Sequence, residues 1–458
     1  MLDKKKHVHF IGIGGYGMSA IASVLLDLNY KVTGSDIEES ELLAKLREKG
    51  AVIQIGHREE NIEGSDLVVY SSMILQDNVE IRAAKKLHKP ILHRSKMLAL
   101  LFNDKKGIAI AGTHGKTTTS SMIAQTIEYC KNDPTYIIGG EVIGLRGNAR
   151  AGKGDFVVAE ADESDSSFLE YKPFIAVVTN IEPDHLENYH GDFSKLKDAY
   201  ISFVNKVKEE GSAILCTEDK GIVNILPYVT CKNIISYGFK DADVVAKDIL
   251  SAKLEQRFNV FFKGKNLGEI RIKLLGKHNV LNSLASIATC LKLGLSFKDI
   301  KDALYNFRGV KRRFQILSNV KGITVVDDYA HHPTEVKTTL EGAKILGKRI
   351  VVVFQPHRYS RLYFFLDDFS KAFKAADEVI VSNIYAPCGE PVINGVSAKD
   401  LAVKISKNSD VVTKFIPEKE GILTYLKKNL KQGDLVITMG AGDIWKVSHE
   451  LGSFLSEK

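Results

Sequence analysis

The sequence predicts an α/β protein of three domains, and two observations support this fold class. Short apolar runs typical of buried strands alternate with helical patterns along nearly the whole chain, which indicates parallel sheets covered by helices. The chain has 458 residues, too many for one ordinary domain, and its strand–helix pattern restarts twice. We therefore expect domains at 1–103, 104–308 and 309–458.

The first domain opens with a strand, a glycine-rich turn and a helix. The run HVHFIGIG predicts the strand, GIGGYG the turn, and residues 17–28 the helix. The next strand, KVTGSD, ends at Asp36, whose carboxylate can bind a ribose hydroxyl. This order predicts a Rossmann-like domain in which backbone amides and a helix N-terminus hold a diphosphate. A turn that only packs the helix closely is the structural alternative, and an NAD-dependent oxidoreductase is one functional interpretation.

A second loop, AGTHGKTTTS, has the parts of a phosphate-binding loop with its first glycine displaced. The strand GIAIAG precedes it and a helix follows it. Gly112 and Gly115 allow backbone amides to face phosphate oxygens. Lys116 can reach the β- and γ-phosphates, and the Thr117 hydroxyl can bind Mg²⁺. The sequence thus predicts a central P-loop ATPase-like domain, which an oxidoreductase does not need.

The strand–helix pattern restarts near Gly309. Four apolar strands, each followed by a helical pattern, predict a C-terminal Rossmann-like domain: ITVVDDYA, RIVVVFQP, EVIVSNI and DLVITMG. The stretch from about 235 to 276 differs, because its short runs and turns indicate antiparallel strands.

Composition excludes several classes of function. The net charge of +7 is spread along the chain, without zinc spacing or a basic–aromatic pattern, so we expect no nucleic-acid partner. Five scattered cysteines without C-x-x-C spacing disfavour disulfides and a zinc site and favour the reducing cytoplasm. The sequence contains no run of 18 apolar residues, so we expect no membrane span. The glycines near the N-terminus favour strand–turn–helix over a signal peptide.

The shortened loop G-T-x-G-K-T-T resembles the ATP loop of the Mur ligases, the ATP-dependent amide-forming enzymes of peptidoglycan synthesis. Further blocks resemble the family, in the family's order, across all three predicted domains: EADESDSSF, TNIEPDHLENY, GKHNVLNS, GVKRRFQ, DDYAHHPTEV and QPHRYSR. One short block would carry little weight, whereas an ordered set over the whole chain is specific. The resemblance implies that the first glycine loop holds a UDP-sugar rather than NAD.

Within the family, the chain most resembles the branch that adds L-alanine to UDP-N-acetylmuramate. Later branches often have a carbamylated lysine where this chain has Tyr200, so we expect none here. The resemblance implies ATP and Mg²⁺ as cofactors and an acyl phosphate intermediate, in cell-wall synthesis and hence cell shape and division. No side-chain nucleophile is then required, and Cys388 is interpreted as a loop residue. A recycling ligase that adds a preformed peptide to the same sugar, an oxidoreductase and a non-catalytic nucleotide-binding protein remain alternatives.

The resemblance also implies roles for individual residues. The implied catalytic residues are Lys116, Glu160, His185 and Arg313, and the implied Mg²⁺ ligands are Thr117, Glu160 and His185. The implied ATP contacts are Gly112, Thr113, His114, Gly115, Lys116, Thr117, Thr118, His278, Asn282 and Arg313. The implied UDP-sugar contacts are Gly14, Gly15, Gly17, Met18, Ser19, Asp36, His57, Ser71 and Arg94. The implied amino-acid site consists of Tyr329, His331, His357, Arg358 and Arg361. We expect a cytoplasmic monomer or weak homodimer.

Several of these residues also have plain structural interpretations. Glu160 ends the buried strand FVVA, which disfavours a surface carboxylate, whereas His185 also suits a helix cap or a core position. His278 and Asn282 suit helix capping, and Arg313 suits a solvated charge run. The arginines of the third domain follow a strand end and predict an anion site, with solvated surface as the alternative. The remaining acids after Glu160 are interpreted as helix-start or solvated residues rather than ligands: Asp162, Glu163 and Asp165.

Overall fold

The computed structural model of the chain describes residues 6–164, 166–252, 254–387 and 390–457. Asp165 and Cys388, both interpreted above, lie outside these ranges. The chain forms two compact units. The first contains residues up to Asp248 together with Phe258–Arg271 and Leu281–Arg308, and the second contains Ile249–Arg257, Ile272–Val280 and the chain from Gly309 onwards. The three predicted domain ranges stay a prediction.

The first sheet has five parallel strands in the order β3-β2-β1-β4-β5. Its strands are β1 (His7–Ile11), β2 (Lys31–Asp36), β3 (Val52–Ile55), β4 (Leu67–Tyr70) and β5 (Ile91–His93). Its helices are α1 (Tyr16–Asp27), α2 (Glu41–Glu48), α3 (Val79–Lys86) and α4 (Arg94–Asn103). The order changes direction at β1, so the glycine loop after β1 lies at the switch point where parallel sheets bind ligands.

The second sheet has ten strands in the order β15-β14-β13-β12-β11-β10-β6-β9-β7-β8. Its strands are β6 (Lys106–Ala111), β7 (Thr135–Ile137), β8 (Ala149–Arg150), β9 (Phe156–Glu160), β10 (Ile175–Val178), β11 (Ser212–Cys216), β12 (Ile234–Gly238), β13 (Val244–Ala252), β14 (Glu255–Phe262) and β15 (Lys265–Ile272). Its helices are α5 (Lys116–Tyr129), α6 (Phe193–Asn205), α7 (Lys220–Ile225), α8 (Lys277–Lys292) and α9 (Phe297–Asn306). β12 and β13 pair in parallel, so the antiparallel prediction for this stretch is wrong at that pair.

The third sheet has six strands in the order β16-β17-β21-β18-β19-β20, parallel except for the antiparallel pair of β16 and β17. Its strands are β16 (Gln315–Val320), β17 (Ile323–Asp328), β18 (Arg349–Phe354), β19 (Glu378–Val381), β20 (Val412–Phe415) and β21 (Asp434–Met439). Its helices are α10 (Pro333–Lys344), α11 (Tyr359–Lys371), α12 (Ala398–Ser409), α13 (Lys419–Asn429) and α14 (Trp445–Glu457).

Strand β18 shows why the parallel strands read as continuous apolar runs. Ile350, Val352 and Phe354 belong to the core on one face of the sheet. Val351 and Val353 belong to the core on the other face. Successive side chains of a strand point to opposite faces, so a sheet covered on both sides needs apolar residues at every position. The predicted α/β class with mostly parallel sheets is confirmed.

No helix among the described residues is both long enough and apolar enough to cross a membrane.

Candidate active site

The lysine loop follows β6 and is clamped by the end of the neighbouring strand β10. Thr179 donates to the carbonyl of His114 over 2.6 Å, and the amide of His114 donates to the Asn180 side chain over 2.8 Å. Gly112 has a φ of +134°, and a side chain there would overlap the Thr179 hydroxyl. Gly115, the N-cap of α5, has a φ of +82°. Both positions require glycine, so the displaced glycine still builds a loop that lets its amides approach a ligand.

Lys116, the first residue of α5, is held on one side by its own loop and on the other by an acid. Its ammonium donates to the carbonyl of Gly112 over 2.6 Å and to both carboxylate oxygens of Glu163 over 2.9 Å. Burial alone would lower the pKa of Lys116, but Glu163 and Asp162 outweigh it and raise the pKa. Lys116 is therefore a fixed positive charge at the loop.

Glu163 is the main residue beside the lysine loop that sequence reasoning missed. It was interpreted as a helix-start or solvated acid, yet it is only 2% exposed and pairs with Lys116. Its backbone carbonyl also accepts a hydrogen bond from the Tyr189 hydroxyl. The earlier interpretation is wrong because Glu163 is buried against Lys116 and precedes the next helical element, the short 3-10 helix Ser167–Glu170. Asp162 is partly buried, and although burial would raise its pKa, Lys116 and backbone and side-chain hydrogen bonds with Ser164 lower it.

Glu160 ends β9, as predicted, and lies beside the first turns of α5. Its carboxylate accepts from the amide of Gly139 over 2.6 Å and from the Ser120 hydroxyl over 3.3 Å. The Ser120 hydroxyl also lies within hydrogen-bond distance of the carbonyl of Thr117. Ser120 therefore contacts both Glu160 and Thr117, the two predicted Mg²⁺ ligands. A carboxylate and a threonine hydroxyl are the hard oxygen donors that Mg²⁺ accepts, so the residues present fit that ion.

Three further residues predicted for the ATP and Mg²⁺ sites lie in the lysine loop, in α5 and in the segment after β10: Thr113, Thr118 and His185. Thr113 accepts from the amide of Glu182, and Thr118 is partly buried in the first turn of α5. His185 has a φ of +54°, and its ring nitrogens lie 3.7 Å from Asp184 and 3.6 Å from Glu187. Its predicted metal contact stays a prediction.

Helix α8 supplies the predicted pair His278 and Asn282. Asn282 accepts from the Thr119 hydroxyl over 3.2 Å, and its amide oxygen would lie 2.7 Å from a side chain at Gly115. It therefore supports the lysine loop directly. Burial lowers the pKa of His278 to about 4, so this ring is neutral near pH 7. Tyr200 is fully buried and packs against Phe168 with ring centroids 5.3 Å apart.

The first glycine loop is held by Asp36 at the end of β2. The amide of Gly14 donates to the Asp36 carboxylate over 2.7 Å, and a side chain at Gly14 would lie 2.8 Å from that carboxylate. Gly15 caps α1, and the amide of Ser19 donates to its carbonyl. Four of the five remaining UDP-sugar candidates line the same end of the sheet or its first helix: Gly17, Met18, Ser71 and Arg94. A side chain at Gly17 would lie 3.4 Å from the Arg94 guanidinium, which places a positive charge at the turn.

His57 follows β3 and contacts the end of β2. Its Nδ1 lies 2.9 Å from the Ser35 hydroxyl and 3.5 Å from a carboxylate oxygen of Glu80. Ser35 and Glu80 are both fully buried, and neither was predicted from the sequence.

The third sheet brings its predicted residues together at the carboxyl ends of its strands. The ring of His331 lies 5.3 Å from that of Tyr329 and 5.9 Å from that of His357. Nδ1 of His331 is 2.9 Å from the carbonyl of Tyr329, which only accepts, so Nδ1 carries the hydrogen. Burial lowers the pKa of His331 to about 4, against the opposite effect of Glu335.

His357 is surrounded by positive charge. Its Nδ1 accepts from the Arg361 guanidinium over 3.2 Å. Burial, followed by His331, Arg361 and Arg358, lowers its pKa to about 3. Arg358, the N-cap of α11, has a φ of +72°, and its amide donates to the carbonyl of Tyr385. A neutral ring amid guanidinium groups suits a small anionic ligand.

Three residues that sequence reasoning did not name complete this site. Tyr385 stacks on His357 with ring centroids 5.6 Å apart. Arg312 lies over the Tyr329 ring at 4.8 Å and binds Asp327 over 3.1 Å. Glu335 lies 3.7 Å from the Arg313 guanidinium, which itself lies over the Tyr329 ring at 5.3 Å. Arg313 is thus part of the tyrosine cluster of the second unit, and its contact with ATP stays a prediction.

Three family models match successive parts of the chain. They are the Mur ligase family catalytic domain over residues 7–106, the Mur ligase middle domain over 110–290 and the Mur ligase glutamate ligase domain over 312–442.

The chain is also similar to individual proteins along its whole length. It is 46% identical over 461 residues to a UDP-N-acetylmuramate–L-alanine ligase of Pelobacter propionicus, covering 100% of both chains. The solved structure of a UDP-N-acetylmuramate-alanine ligase from Thermotoga maritima matches with a TM-score of 0.83 and 32% identity, over 99% of this chain and 100% of that one. A murein peptide ligase from Psychrobacter arcticus matches with a TM-score of 0.70 and 24% identity, over 99% of each chain, and so supports the fold alone.

Proposed function

The chain belongs to the Mur ligase family, and on this premise we propose that it joins L-alanine to the lactyl carboxylate of UDP-N-acetylmuramate at the expense of ATP. One observation carries the ligase chemistry: the chain has two separate glycine loops at strand ends, and only the second presents a lysine. Identity of 46% over the full length to an enzyme of that name supports the choice of substrates.

The lysine loop is the proposed site of ATP. Its two positive-φ glycines and the clamp from β10 hold backbone amides open toward a phosphate. Lys116 supplies the cation that neutralises charge on the transferring phosphoryl group. Thr117 and Glu160 would hold Mg²⁺, with His185 as a further candidate ligand. When bound, this ion would neutralise charge on the phosphate oxygens.

The proposed chemistry has two steps. A lactyl carboxylate oxygen attacks the γ-phosphorus of ATP, and the bond to the β,γ-bridging oxygen breaks to give an acyl phosphate and ADP. The neutral amine of L-alanine then attacks the acyl carbon, phosphate leaves, and the amine loses a proton to give the amide. A free carboxylate is a poor acylating agent, and phosphorylation supplies its leaving group. The protein contributes positions and charges rather than a nucleophile.

The third sheet is the proposed site of L-alanine. Arg358 and Arg361 would bind the amino-acid carboxylate, because guanidinium groups form bidentate bonds with carboxylates. The lowered pKa values of His331 and His357 support this, since neutral rings leave the arginines as the cations there.

Two alternatives differ in what they require. A recycling ligase would accept a preformed peptide in place of L-alanine, and the similarity to the murein peptide ligase supports only the shared fold. An oxidoreductase would bind NAD at the first loop and would not need the Lys116–Glu163 pair of the second loop. A cytoplasmic monomer or weak homodimer remains the expected state.

The direct test measures ADP release from ATP with UDP-N-acetylmuramate and one acceptor at a time. We expect turnover with L-alanine, weaker turnover with glycine or L-serine, and none with a tripeptide. Lys116→Ala should lose ADP release while circular dichroism still shows a folded protein, although its melting temperature should fall because Glu163 is left without its partner. Faster turnover with the tripeptide would favour the recycling ligase, and thermal stabilisation by NADH but not by UDP-N-acetylmuramate would favour the oxidoreductase.

A further inference from the structure

A chain of hydrogen bonds runs through the buried face of the first sheet. His7 Nδ1 lies 2.8 Å from the carbonyl of Gly64, and His7 Nε2 lies 2.8 Å from the Thr33 hydroxyl. The same hydroxyl lies 2.8 Å from His9 Nδ1, and His9 Nε2 lies 3.1 Å from Oε2 of Glu80. His7 and His9 share one face of β1 because they are two residues apart, and Thr33 is the partner of His9 on β2.

Counting protons along this chain fixes the charge at its end. Four hydrogen bonds need four hydrogens, whereas the neutral side chains of His7, Thr33 and His9 supply three. The fourth contact therefore requires one additional proton, on a histidine or on Glu80. Three further donors face Glu80: the Ser35 hydroxyl at 2.7 Å, the Asn61 amide at 2.7 Å and the Arg58 backbone amide at 3.2 Å.

A carboxylate surrounded by donors is ionised. Burial alone would raise the pKa of Glu80, but the hydrogen bonds from His9, Asn61 and Ser35 outweigh it and lower the pKa. Burial, assisted by Lys31, lowers the pKa of His7, and the contact that lacks a hydrogen is the one between His9 and Glu80, at the carboxylate end of the chain. Glu80 also lies in the first turn of α3, where the helix dipole favours a negative charge.

The ionised Glu80 determines the direction of the hydrogen bond between Ser35 and His57. Ser35 directs its only hydrogen at Glu80, so its oxygen can only accept from His57. Both oxygens near His57 Nδ1 are then acceptors, and the hydrogen of a neutral ring must be on Nδ1. Nε2 of His57 is left as an acceptor, and it makes no hydrogen bond within the described part of the chain.

We propose that Glu80 is a positioning residue that fixes the tautomer of His57, so that Nε2 accepts a hydrogen bond from the uridine part of the UDP-sugar. The inference rests on the proposed function, because it takes the first sheet as the UDP-sugar site. The donors available on uridine are the uracil N–H and the ribose hydroxyls. Glu80 itself is fully buried and acts through Ser35.

Glu80→Gln tests the proposal because glutamine keeps the shape and reverses one polarity. The backbone amide of Arg58 and the side-chain amide of Asn61 both donate, so they require the oxygen of the glutamine. The NH₂ group of the glutamine then faces Ser35 and His9. Ser35 then turns its hydrogen to His57 Nδ1, and the tautomer inverts to Nε2–H. We expect the KM for UDP-N-acetylmuramate to rise about tenfold, with the KM for L-alanine unchanged, because a donor then faces a donor.

The readout that a merely structural role would not move is the tautomer itself. Nitrogen-15 NMR of histidine-labelled protein without ligand should show Nδ1–H for His57 in the wild type and Nε2–H in Glu80→Gln, with the peak assigned by its loss in His57→Asn. A wild-type ring protonated at Nε2 alone overturns the proposal even if the variant fails to fold. Because the NMR experiment uses no substrate, it succeeds or fails independently of the proposed function, which the ADP assay tests.

Thr33→Val is the matched control, since it removes a partly buried hydroxyl from the same network without touching Ser35 or Glu80. It should lower the melting temperature and leave both the His57 tautomer and the KM for UDP-N-acetylmuramate unchanged. An equal rise in KM in this control would overturn the proposal in favour of a general loss of stability.

Inhibition by UDP, N3-methyl-UDP and 2′-deoxy-UDP tells which uridine donor is used. Equal inhibition by all three in wild type and Glu80→Gln contradicts the proposed hydrogen bond to His57.

Discussion

Replacing Glu163 by glutamine removes one charge from the partly buried ion pair at the lysine loop and preserves the shape of the side chain. Both carboxylate oxygens lie 2.9 Å from the Lys116 ammonium, and Glu163 is 2% exposed. ATP would bring phosphate oxygens to the same ammonium, so Glu163 and ATP compete for one cation. The substitution should therefore weaken the protein without ligand and strengthen its binding of ATP.

The structure bounds the size of both effects. At an effective dielectric constant of about 20, two charges at this separation attract by about 6 kcal/mol. Burial offsets much of this attraction, and leaving one partner of a buried pair alone typically costs about 3–5 kcal/mol. Glutamine retains one hydrogen bond to Lys116, and the Gly112 carbonyl provides another. We therefore expect the free energy of unfolding to fall by about 2–3 kcal/mol.

The assay is calorimetric titration with ATP and Mg²⁺, combined with chemical denaturation of the free protein. The Kd for ATP should fall about tenfold in Glu163→Gln, because ATP restores a negative partner that the variant lacks. Glu128→Gln is the matched control: Glu128 pairs with Arg150 in the same unit, but its side chain is 35% exposed. That change should cost no more than about 1 kcal/mol and leave ATP binding unaltered.

A weaker affinity for ATP in Glu163→Gln, together with normal stability, would refute the competition. It would mean that Glu163 assists the nucleotide, for example by orienting Lys116 toward it.

Three further predictions concern the other sites. Arg361→Ala should raise the KM for L-alanine about tenfold to a hundredfold, while acyl phosphate, trapped by borohydride without L-alanine, still forms. Loss of acyl phosphate with an unchanged KM would place Arg361 outside the amino-acid site. Arg82→Ala, at an exposed position, is the control. The folded pKa of His331 lies below its unfolded value, so the unfolded state takes up the proton first as the pH falls. The contribution of the neutral His331 to the free energy of unfolding is therefore complete above about pH 6.5 and falls by about 2 kcal/mol by pH 5. This pH dependence, measured by urea denaturation, should disappear in His331→Asn, and an unchanged slope would contradict the prediction. Gly14→Ala should push Asp36 aside and weaken thermal stabilisation by UDP-N-acetylmuramate but not by ATP, whereas equal losses for both ligands would indicate general damage.

The local modules of this protein could be predicted from its sequence. The strand, turn and helix around GIGGYG are β1 and α1, and those around AGTHGKTTTS are β6 and α5. Each module is continuous in the chain, and its apolar period and its glycines specify it without reference to distant residues. The position of Glu160 at the end of a buried strand was predictable for the same reason, and it is confirmed.

The partners of the functional side chains depended on tertiary structure. Lys116 and Glu163 are 47 positions apart, and His9 and Glu80 are 71 apart. Their meeting depends on the strand order, in which β6 lies beside β9 and β1 lies between β2 and β4. A carboxylate after a strand looks the same in sequence whether it turns to solvent or inward. Only the packing of neighbouring strands removes it from water, and that burial makes its charge and its hydrogen bonds matter to the site.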